Sequence, residues 1–187
     1  MVMSAPYSEW TVDMVHDLPD DGNRIEVIDG ELLVSPAPSY LHQEAVMQLY
    51  KILLPYVQSI GQHIVVAPAS VTFSERREVQ PDLFVLPKRR GRRPTRLEDV
   101  RKVTLVVEVV SPNTERADRT TKKGLYQEER VPEYWIVDPD SRTVERWRPE
   151  SAKAELFATT LAWHPIPTRD ALTIDLASYF RSVHDET

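Results

Sequence analysis

The chain has 187 residues, a formal net charge of −6 at pH 7, and hydrophobic and charged fractions of 41% and 28%. This length and composition predict one globular domain, residues 1–187, with a substantial core. Cysteine does not occur in the sequence, which excludes both a disulfide framework and a thiolate zinc site. The five histidines show no paired metal spacing, so carboxylate oxygens are the plentiful metal ligands, and they suit magnesium, manganese or calcium.

The sequence indicates neither export nor a membrane span. Residues 1–18 lack a basic segment followed by an apolar one, and nowhere do about eighteen apolar residues run together. We therefore expect a cytoplasmic protein with no membrane partner. The negative net charge also argues against indiscriminate coating of nucleic acid.

A β-hairpin is the first element that the sequence predicts. Two alternating apolar runs, at residues 25–28 and 31–34, are separated by Asp29 and Gly30. Asp-Gly between such runs is the strongest short hairpin signal, so we expect the two runs to pair as antiparallel strands.

Helices and strands alternate through the rest of the chain. Ser39 offers an N-cap to a long amphipathic helix, in which Pro55 should kink or end the regular part. The further predicted elements are strands at 63–73, 79–87 and 103–112, a helix beginning after Asn113 or Thr114, strands at 133–138, 143–149 and 154–161, and a short helix capped by Asp175. This order predicts an α/β (α+β) fold, with a mixed central β-sheet flanked by helices and an N-terminal β-hairpin.

Glu108 stands in the middle of an aliphatic run, TLVVEVVSPNT, which predicts a strand buried on both faces. An unpaired carboxylate there would cost several kcal/mol or shift its pKa, so something must compensate the charge. The candidates are an arginine or lysine partner, water at the end of the strand, or a metal ion.

Asp82 opens the preceding apolar run, DLFVLP, directly after a proline. Neighbouring strands could bring the carboxylates of Asp82 and Glu108 to one point, where they would repel unless a cation bridged them. A magnesium ion would compensate both charges. The alternative is that Asp82 is a turn residue at the start of its strand and that Glu108 pairs with an arginine.

The chain resembles the Uma-type restriction endonuclease family, a branch of the PD-(D/E)XK nuclease superfamily, in QPDLFVLP, LVVEVVSPNTERADRTTKKGLY and VPEYWIVDP. It is also similar to the family's N-terminal signature in IDGELLVSPAPSYLHQ and to its closing segment in DALTIDLASYF. The resemblance implies a restriction-endonuclease-like core. It also implies a divalent-metal-dependent nuclease that hydrolyses phosphodiester bonds, with Mg²⁺ or Mn²⁺ as its cofactor.

By this resemblance, Asp82 and Glu108 would be catalytic residues that bind the divalent ion, with the carbonyl of Val109 as a further ligand. The superfamily places a lysine two positions after the glutamate on the same strand, but that residue is Val110 here. The resemblance moves the catalytic lysine to Lys122 on the following helix. There it would orient the attacking water or offset charge that develops in the transition state.

Asp118, Lys122 and Tyr126 are spaced by four residues, so they line one helical face that can be directed at the strand acids. Lys123 is rotated by about 100° from Lys122 and is expected to be solvated. The alternative for Asp118 and Lys122 is a surface ion pair that contributes a few tenths of a kcal/mol.

Three more residues are candidate accessory groups. Glu31 would give a further metal ligand or hold a metal-associated water, although a hairpin glutamate is commonly a solvated strand residue. His42, in the first turn of the long helix, would contact a phosphate, and the alternative is a histidine with a backbone partner. Gln80, immediately before the Pro-Asp pair, is a neighbour of the expected site.

The segment KRRGRRPTR, residues 88–96, carries six cations and no acid. Because it lies between the two ligand strands in sequence, we expect it to begin near the site and to hold the nucleic-acid backbone. The residues concerned are Lys88, Arg89, Arg90, Arg92 and Arg93. The alternative is a solvated, mobile loop.

The sequence therefore favours a nuclease whose partner is nucleic acid, with DNA expected, and a homodimer would suit the cutting of two strands. A rival is a catalytically inactive nuclease-fold protein that binds nucleic acid or protein. The missing strand lysine supports that rival, whereas the retention of both acids and of Lys122 opposes it. A second rival is a metal-dependent hydrolase of another phosphoester.

Overall fold

A computed structural model describes residues 9–19, 21–88, 91–92 and 102–186. Within these residues the strands form sheets of six, four and two members. The strands are β1 (Arg24–Ile28), β2 (Glu31–Ser35), β3 (Gln62–Val66), β4 (Val71–Ser74), β5 (Arg77–Val79), β6 (Leu83–Pro87), β7 (Leu105–Val109), β8 (Tyr134–Asp138), β9 (Thr143–Trp147), β10 (Glu155–Phe157), β11 (Thr160–Trp163) and β12 (Leu172–Asp175). The helices are α1 (Val12–His16), α2 (Tyr40–Ser59), α3 (Glu115–Ala117), a π-helical segment (Asp118–Lys122), α4 (Lys123–Glu128) and α5 (Leu176–Val183).

The predicted hairpin is confirmed. β1 and β2 pair antiparallel, with Ile28 opposite Glu31, so the connection holds only Asp29 and Gly30. Both have positive φ, 54° and 84°, as a type I′ turn requires. The hairpin belongs to the four-stranded sheet, whose order is β2-β1-β5-β4.

The central sheet has the order β10-β9-β8-β7-β6-β3. β7 and β8 run parallel, and the other neighbouring pairs are antiparallel. A parallel pair needs a crossover connection, and the helix formed by α3, the π-helical segment and α4 supplies it. The predicted mixed central sheet with flanking helices is therefore confirmed.

The central sheet separates two apolar cores. Helices α2 and α5 pack on one face, and the four-stranded sheet and α4 pack on the other. Alternate residues of β7 serve the two cores: Leu105, Val107 and Val109 belong to the first, and Val106 to the second. Because side chains alternate along a strand, Glu108 is directed, like Val106, into the layer between the central sheet and the four-stranded sheet.

Of the two effects expected of Pro55, a kink or an end of the helix, the end does not occur, since α2 continues to Ser59. Ser39 caps it as predicted, with its Oγ accepting a bond of 3.2 Å from the N–H of His42. The carbonyl that loses its helical donor to the proline belongs to Lys51, which is exposed, so water can take the place of the missing N–H.

Three predicted strands are each divided in two by the structure. Residues 63–73 form parts of β3 and β4, which lie in different sheets, and the Ala67-Pro68 peptide between them is cis. Residues 79–87 are broken at Pro81, because a proline has no N–H to give to a ladder. Residues 154–161 divide between β10 and β11. The short helix α1 was not predicted.

The tail helix agrees with its prediction. Asp175 caps α5 by accepting the N–H of Ser178 at 3.0 Å. In the part of the chain that the structure describes, no helix has both the length and the apolar character needed to cross a membrane.

Candidate active site

Polar and charged side chains from five parts of the chain meet in the layer between the central sheet and the four-stranded sheet. β1 contributes two residues, the first turn of α2 one, the Asp before β6 one, β7 one, and the π-interrupted helix three. We call this group the charged cluster: Arg24, Glu26, His42, Asp82, Glu108, Asp118, Lys122 and Tyr126. It combines five of the residues that the sequence singled out with two that it did not, Arg24 and Glu26, and with the accessory candidate His42.

Asp82 is held by three donors. Its Oδ1 accepts from Nη2 of Arg24 at 2.7 Å, and its Oδ2 accepts from Nε2 of His42 at 3.0 Å and from the backbone N–H of Val109 at 2.8 Å. Burial alone would raise the pKa of this carboxyl, but His42, Arg24 and the Val109 N–H together lower it to about 2. Asp82 is therefore a permanent anion at neutral pH.

Glu108 is 1% exposed and has donors on one oxygen. Its Oε1 accepts from Nζ of Lys122 and from the hydroxyl of Tyr126, both at 3.0 Å. Its Oε2 lies 3.9 Å from Nη1 of Arg24. Burial raises the pKa of Glu108 well above its usual value, the Lys122 ammonium opposes that rise, and the nearby carboxylates, Asp82 foremost, add to it.

Lys122 is 3% exposed and is surrounded by carboxylates. Its Nζ lies 2.8 Å from Oε2 of Glu26, 3.0 Å from Oε1 of Glu108 and 3.7 Å from Oδ1 of Asp118. Burial by itself would lower the pKa of this ammonium, but the three carboxylates outweigh burial and raise it. The alternative of a surface ion pair between Asp118 and Lys122 is therefore wrong, because both side chains are buried.

The helix that carries Lys122 is not a regular α-helix. Residues Asp118–Lys122 form a π-helical segment, a wider turn that is frequent at functional sites. Burial raises the pKa of Asp118 to about 6. The helix face predicted from the spacing of four residues is the face that meets the strand acids, since Lys122 and Tyr126 both contact Glu108.

Glu26 was missed by the sequence analysis. It is 1% exposed, and its Oε1 accepts the backbone N–H of Gln80 at 2.7 Å, which places the accessory candidate Gln80 beside the cluster. Glu31, the accessory candidate in the hairpin, is exposed at the first position of β2 and contacts no residue of the charged cluster in the described structure. The sequence does contain a signal for Glu26, because this acid interrupts the apolar strand RIEVI in the same way as Glu108 interrupts the apolar strand LVVEV.

Arg24 was missed for a different reason. It stands at the start of β1, where an arginine is ordinarily a solvated residue, and its partner Asp82 is 58 positions away in the chain. Only the packing of the four-stranded sheet on the central sheet brings the two together. His42, by contrast, contacts Asp82 rather than a backbone group.

The expectation that the basic segment begins near the site is wrong. β6 and β7 are antiparallel, and Asp82 precedes the first while Glu108 lies near the end of the second. The connection between them therefore begins at the end of β6 that is opposite to Asp82. For five residues at about 3.4 Å each, that end is about 17 Å from Asp82. Lys88 is half-buried and Arg92 is exposed, while Arg89, Arg90 and Arg93 lie outside the described residues.

The oxygen donors of the site are of the kind that binds a divalent cation. Within residues 9–19, 21–88, 91–92 and 102–186, no group of three or more His, Cys, Asp or Glu side chains is arranged to hold a metal ion. The donors at the strand ends are the carboxylates of Asp82 and Glu108. The N–H of Val109 is bonded to Asp82, so the Val109 carbonyl faces the same strand edge. Two carboxylates and one carbonyl are oxygen donors of the kind that Mg²⁺ and Mn²⁺ prefer.

The charge of the cluster also fits a dication. Among its described members, the four buried carboxylates of Glu26, Asp82, Glu108 and Asp118 face two permanent cations, Arg24 and Lys122. The cluster is therefore short of positive charge, and the neighbouring carboxylates add to the rise that burial causes in the pKa of Glu108. The donor chemistry and the charge both fit, although Arg24 now contacts the two acids that would be ligands.

Comparison with known proteins places the chain in a family. A family model described as "Uma2: Putative restriction endonuclease" matches residues 12–176. The fold is similar to a solved structure, described as a "putative nuclease belonging to DUF820 from Anabaena variabilis ATCC 29413", with a TM-score of 0.73 and 19% identity over 93% of this chain and 99% of that chain. No curated protein matches. Because the family model spans most of the sequence, the chain belongs to the Uma2 family, described as "Putative restriction endonuclease".

Proposed function

We propose that the protein is a divalent-metal-dependent nuclease that hydrolyses phosphodiester bonds of nucleic acid, with DNA the expected substrate. The observation that carries this proposal is the meeting of Asp82, Glu108 and the buried Lys122 at one point, in a member of a family described as restriction endonucleases. A buried group of acids that lacks positive charge has no evident structural use and is typical of a functional site.

Asp82, Glu108 and the carbonyl of Val109 would hold Mg²⁺ or Mn²⁺. A bound divalent ion supplies two effects there, polarisation of the scissile phosphate and a more acidic attacking water. His42 and Tyr126 orient the acids, because each donates a hydrogen bond to one carboxylate oxygen and leaves the other oxygen directed elsewhere.

Lys122 would act as a fixed positive charge. Its raised pKa keeps the ammonium protonated at every working pH, so it is not the general base. Glu26, Glu108 and Asp118 hold Nζ in one place, which preorganises the charge before the reaction begins. An ammonium in this position would offset negative charge that develops on the phosphoryl oxygens, and it would replace the strand lysine that Val110 lacks.

Two further parts of the proposal concern the partner and the assembly. The basic residues Lys88, Arg89, Arg90, Arg92 and Arg93 would contact the nucleic-acid backbone away from the reacting phosphate. A homodimer would place two sites on one duplex, which suits the cutting of both strands.

The proposal is tested by incubating the purified chain with labelled single-stranded and duplex DNA and with RNA, in Mg²⁺ and in Mn²⁺. Cleavage by the parent, and its loss together with Mn²⁺ binding in Asp82→Asn and Glu108→Gln, is the expected result. Asp138→Asn is the matched control, because Asp138 is a half-buried carboxylate at a strand end that contacts Arg119 outside the cluster. If the parent binds nucleic acid without metal and never cuts it, the inactive binding protein is the better description.

A further inference from the structure

Arg24 is the one cluster cation to which the proposed function gives no role. Its guanidinium reaches both strand acids: Nη2 lies 2.7 Å from Oδ1 of Asp82, and Nη1 lies 3.9 Å from Oε2 of Glu108. Its side chain is 18% exposed, whereas those of the two acids are 2% exposed. The guanidinium therefore joins the two carboxylates from their solvent side.

We propose that Arg24 is an exchangeable counter-cation. In the metal-free protein its guanidinium lies between the carboxylates of Asp82 and Glu108, and it leaves both carboxylates when a divalent ion binds to them. This inference rests on the proposed function, because it takes the two acids as metal ligands. A planar guanidinium suits the first role, since its fork of donors can serve two carboxylates at once.

The contacts of Arg24 fall on the oxygens that a metal ion would need. Oδ2 of Asp82 and Oε1 of Glu108 are each held by two buried donors of the described structure. Arg24 meets the remaining oxygen of each acid, Oδ1 and Oε2. A carboxylate oxygen that binds a dication cannot at the same time keep a guanidinium at hydrogen-bond distance without strong repulsion between the two cations. Arginine and metal therefore compete directly for Oδ1 of Asp82, and the guanidinium charge beside Oε2 of Glu108 opposes a dication there.

The other cation of the cluster cannot make this exchange. Lys122 has three carboxylates within 3.7 Å and is 3% exposed. Moving its ammonium away would leave buried carboxylates without a counter-ion. Arg24 instead has a long side chain at the start of a strand, next to the exposed Asn23. Once released from the acids, its guanidinium lies on the outer side of the site, where its fork suits a phosphate of the substrate.

The experiment is a calorimetric titration of Mn²⁺, and separately of Ca²⁺, into the full chain without nucleic acid. Arg24→Gln should bind each ion about tenfold more tightly than the parent, because the ion no longer displaces a charge-assisted hydrogen bond. Arg146→Gln is the matched control. Arg146 is 11% exposed and lies 2.7 Å from a carboxylate oxygen of Glu155, away from the cluster, so its loss should leave the affinity unchanged.

Thermal melting gives a second measurement that does not depend on catalysis. In EDTA, Arg24→Gln should melt below the parent, because two buried acids then lack their counter-cation, and saturating Ca²⁺ should raise its melting temperature more than it raises that of the parent. If Arg24→Gln does not fold in EDTA, Arg24→Lys decides the question. A lysine keeps the charge but loses the fork, so its affinity for Mn²⁺ should exceed that of the parent by a few-fold.

The outcomes separate this inference from the proposed function. Metal binding by the parent with an equal or weaker affinity in both Arg24 variants overturns the exchange and leaves the metal site standing. Absence of binding in the parent and in both variants overturns the metal site and the exchange together. Tighter binding in the Arg24 variants alone, with Arg146→Gln unchanged, supports the exchange.

Discussion

The surroundings of Lys122 and of Arg77 each set one cation among three carboxylates, and the two places differ in burial. Nζ of Lys122 lies 2.8 Å from Glu26, 3.0 Å from Glu108 and 3.7 Å from Asp118, and each of these side chains is 3% exposed or less. The second place is centred on Arg77, which lies 2.6 to 2.7 Å from carboxylate oxygens of its three partners. Those partners are Asp29, Glu128 and Glu129, and they are 61%, 63% and 26% exposed.

The difference in burial determines how excess negative charge affects the carboxylates in the two places. Around Arg77, water solvates the carboxylates, and the contacts tie the hairpin turn to the end of α4. Around Lys122, water is excluded, and burial, with a smaller contribution from the neighbouring carboxylates, raises the pKa of Glu108 and of Asp118. The first arrangement is a structural brace. The buried arrangement around Lys122 destabilises the fold unless a further cation binds, and a functional site for a cation has this property.

The largest expected difference between the two places is in stability. Lys122→Met should lower the free energy of unfolding by about 3–5 kcal/mol, because it leaves buried carboxylates without a partner. Arg77→Met should lower it by about 1 kcal/mol, since exposed ion pairs contribute little. Urea unfolding in EDTA at pH 7.5 measures both values. Equal losses in the two variants would remove the distinction drawn here.

The second difference concerns catalysis. Lys122→Met should reduce the rate of DNA cleavage by roughly 10²-fold or more, the scale for one positioned electrostatic group, while Mn²⁺ binding persists because an ammonium is not a ligand. Arg77→Met should retain cleavage within a few-fold. Rates are measured at 10 °C, where circular dichroism can verify that each variant is folded. Full activity of folded Lys122→Met would show that the lysine has no part in the reaction.

A smaller effect tests whether burial causes the difference. The folded pKa of Asp118 is about 6, above its ordinary value of 3.8, so the folded state binds its proton more tightly than the unfolded state does. Stability from this group therefore rises as the pH falls from 6 towards 4, and ionised Asp118 costs up to ~3 kcal/mol above pH 6. Asp118→Asn should stabilise the protein at pH 8, and the gain should fade below pH 6.

The control for this pH dependence has the opposite sign. Burial would raise the pKa of Asp138, but the N–H and hydroxyl of Ser141 and the guanidinium of Arg119 lower it overall. Asp138→Asn should therefore destabilise the protein at pH 8. Urea unfolding in EDTA from pH 4.5 to pH 8 follows both variants. A gain for Asp118→Asn that is the same at every pH would point to packing rather than to charge.

The sequence predicted those parts of the site that local spacing determines. Glu108 was identifiable because it interrupts an aliphatic strand, and Lys122 and Tyr126 because a spacing of four residues places them on one helix face. The π-helical segment could not be predicted in this way. A spacing of four residues places side chains on roughly one face in both an α-helix and a π-helix, so it does not distinguish them. The hairpin was predicted because Asp29 and Gly30 specify the turn by themselves.

Contacts between sheets were beyond the sequence analysis. Arg24 enters the cluster only because the four-stranded sheet packs over β7, and no spacing within β1 encodes that packing. Glu26 was identifiable as an acid within an apolar strand, but its contact with Lys122 also depends on that packing. The position of the basic segment was foreseeable in principle. Asp82 lies at the start of one strand and Glu108 near the end of the next, so in an antiparallel pair both lie far from the connection between the strands. Lys88, in that connection, is therefore excluded from their neighbourhood.

The smallest expected effect compares neighbours in the sequence. Lys123 follows Lys122, but its Nζ lies 5.0 Å from the ring centroid of Trp147, outside the cluster. Lys123→Ala should therefore change the cleavage rate by less than about threefold and lower stability by ~0.5–1 kcal/mol, the scale of an exposed cation–π contact. Cleavage assays and urea unfolding beside Lys122→Met measure both. A loss of cleavage in Lys123→Ala that matched the loss in Lys122→Met would mean that net positive charge on this helix, rather than the position of one buried ammonium, supports the reaction.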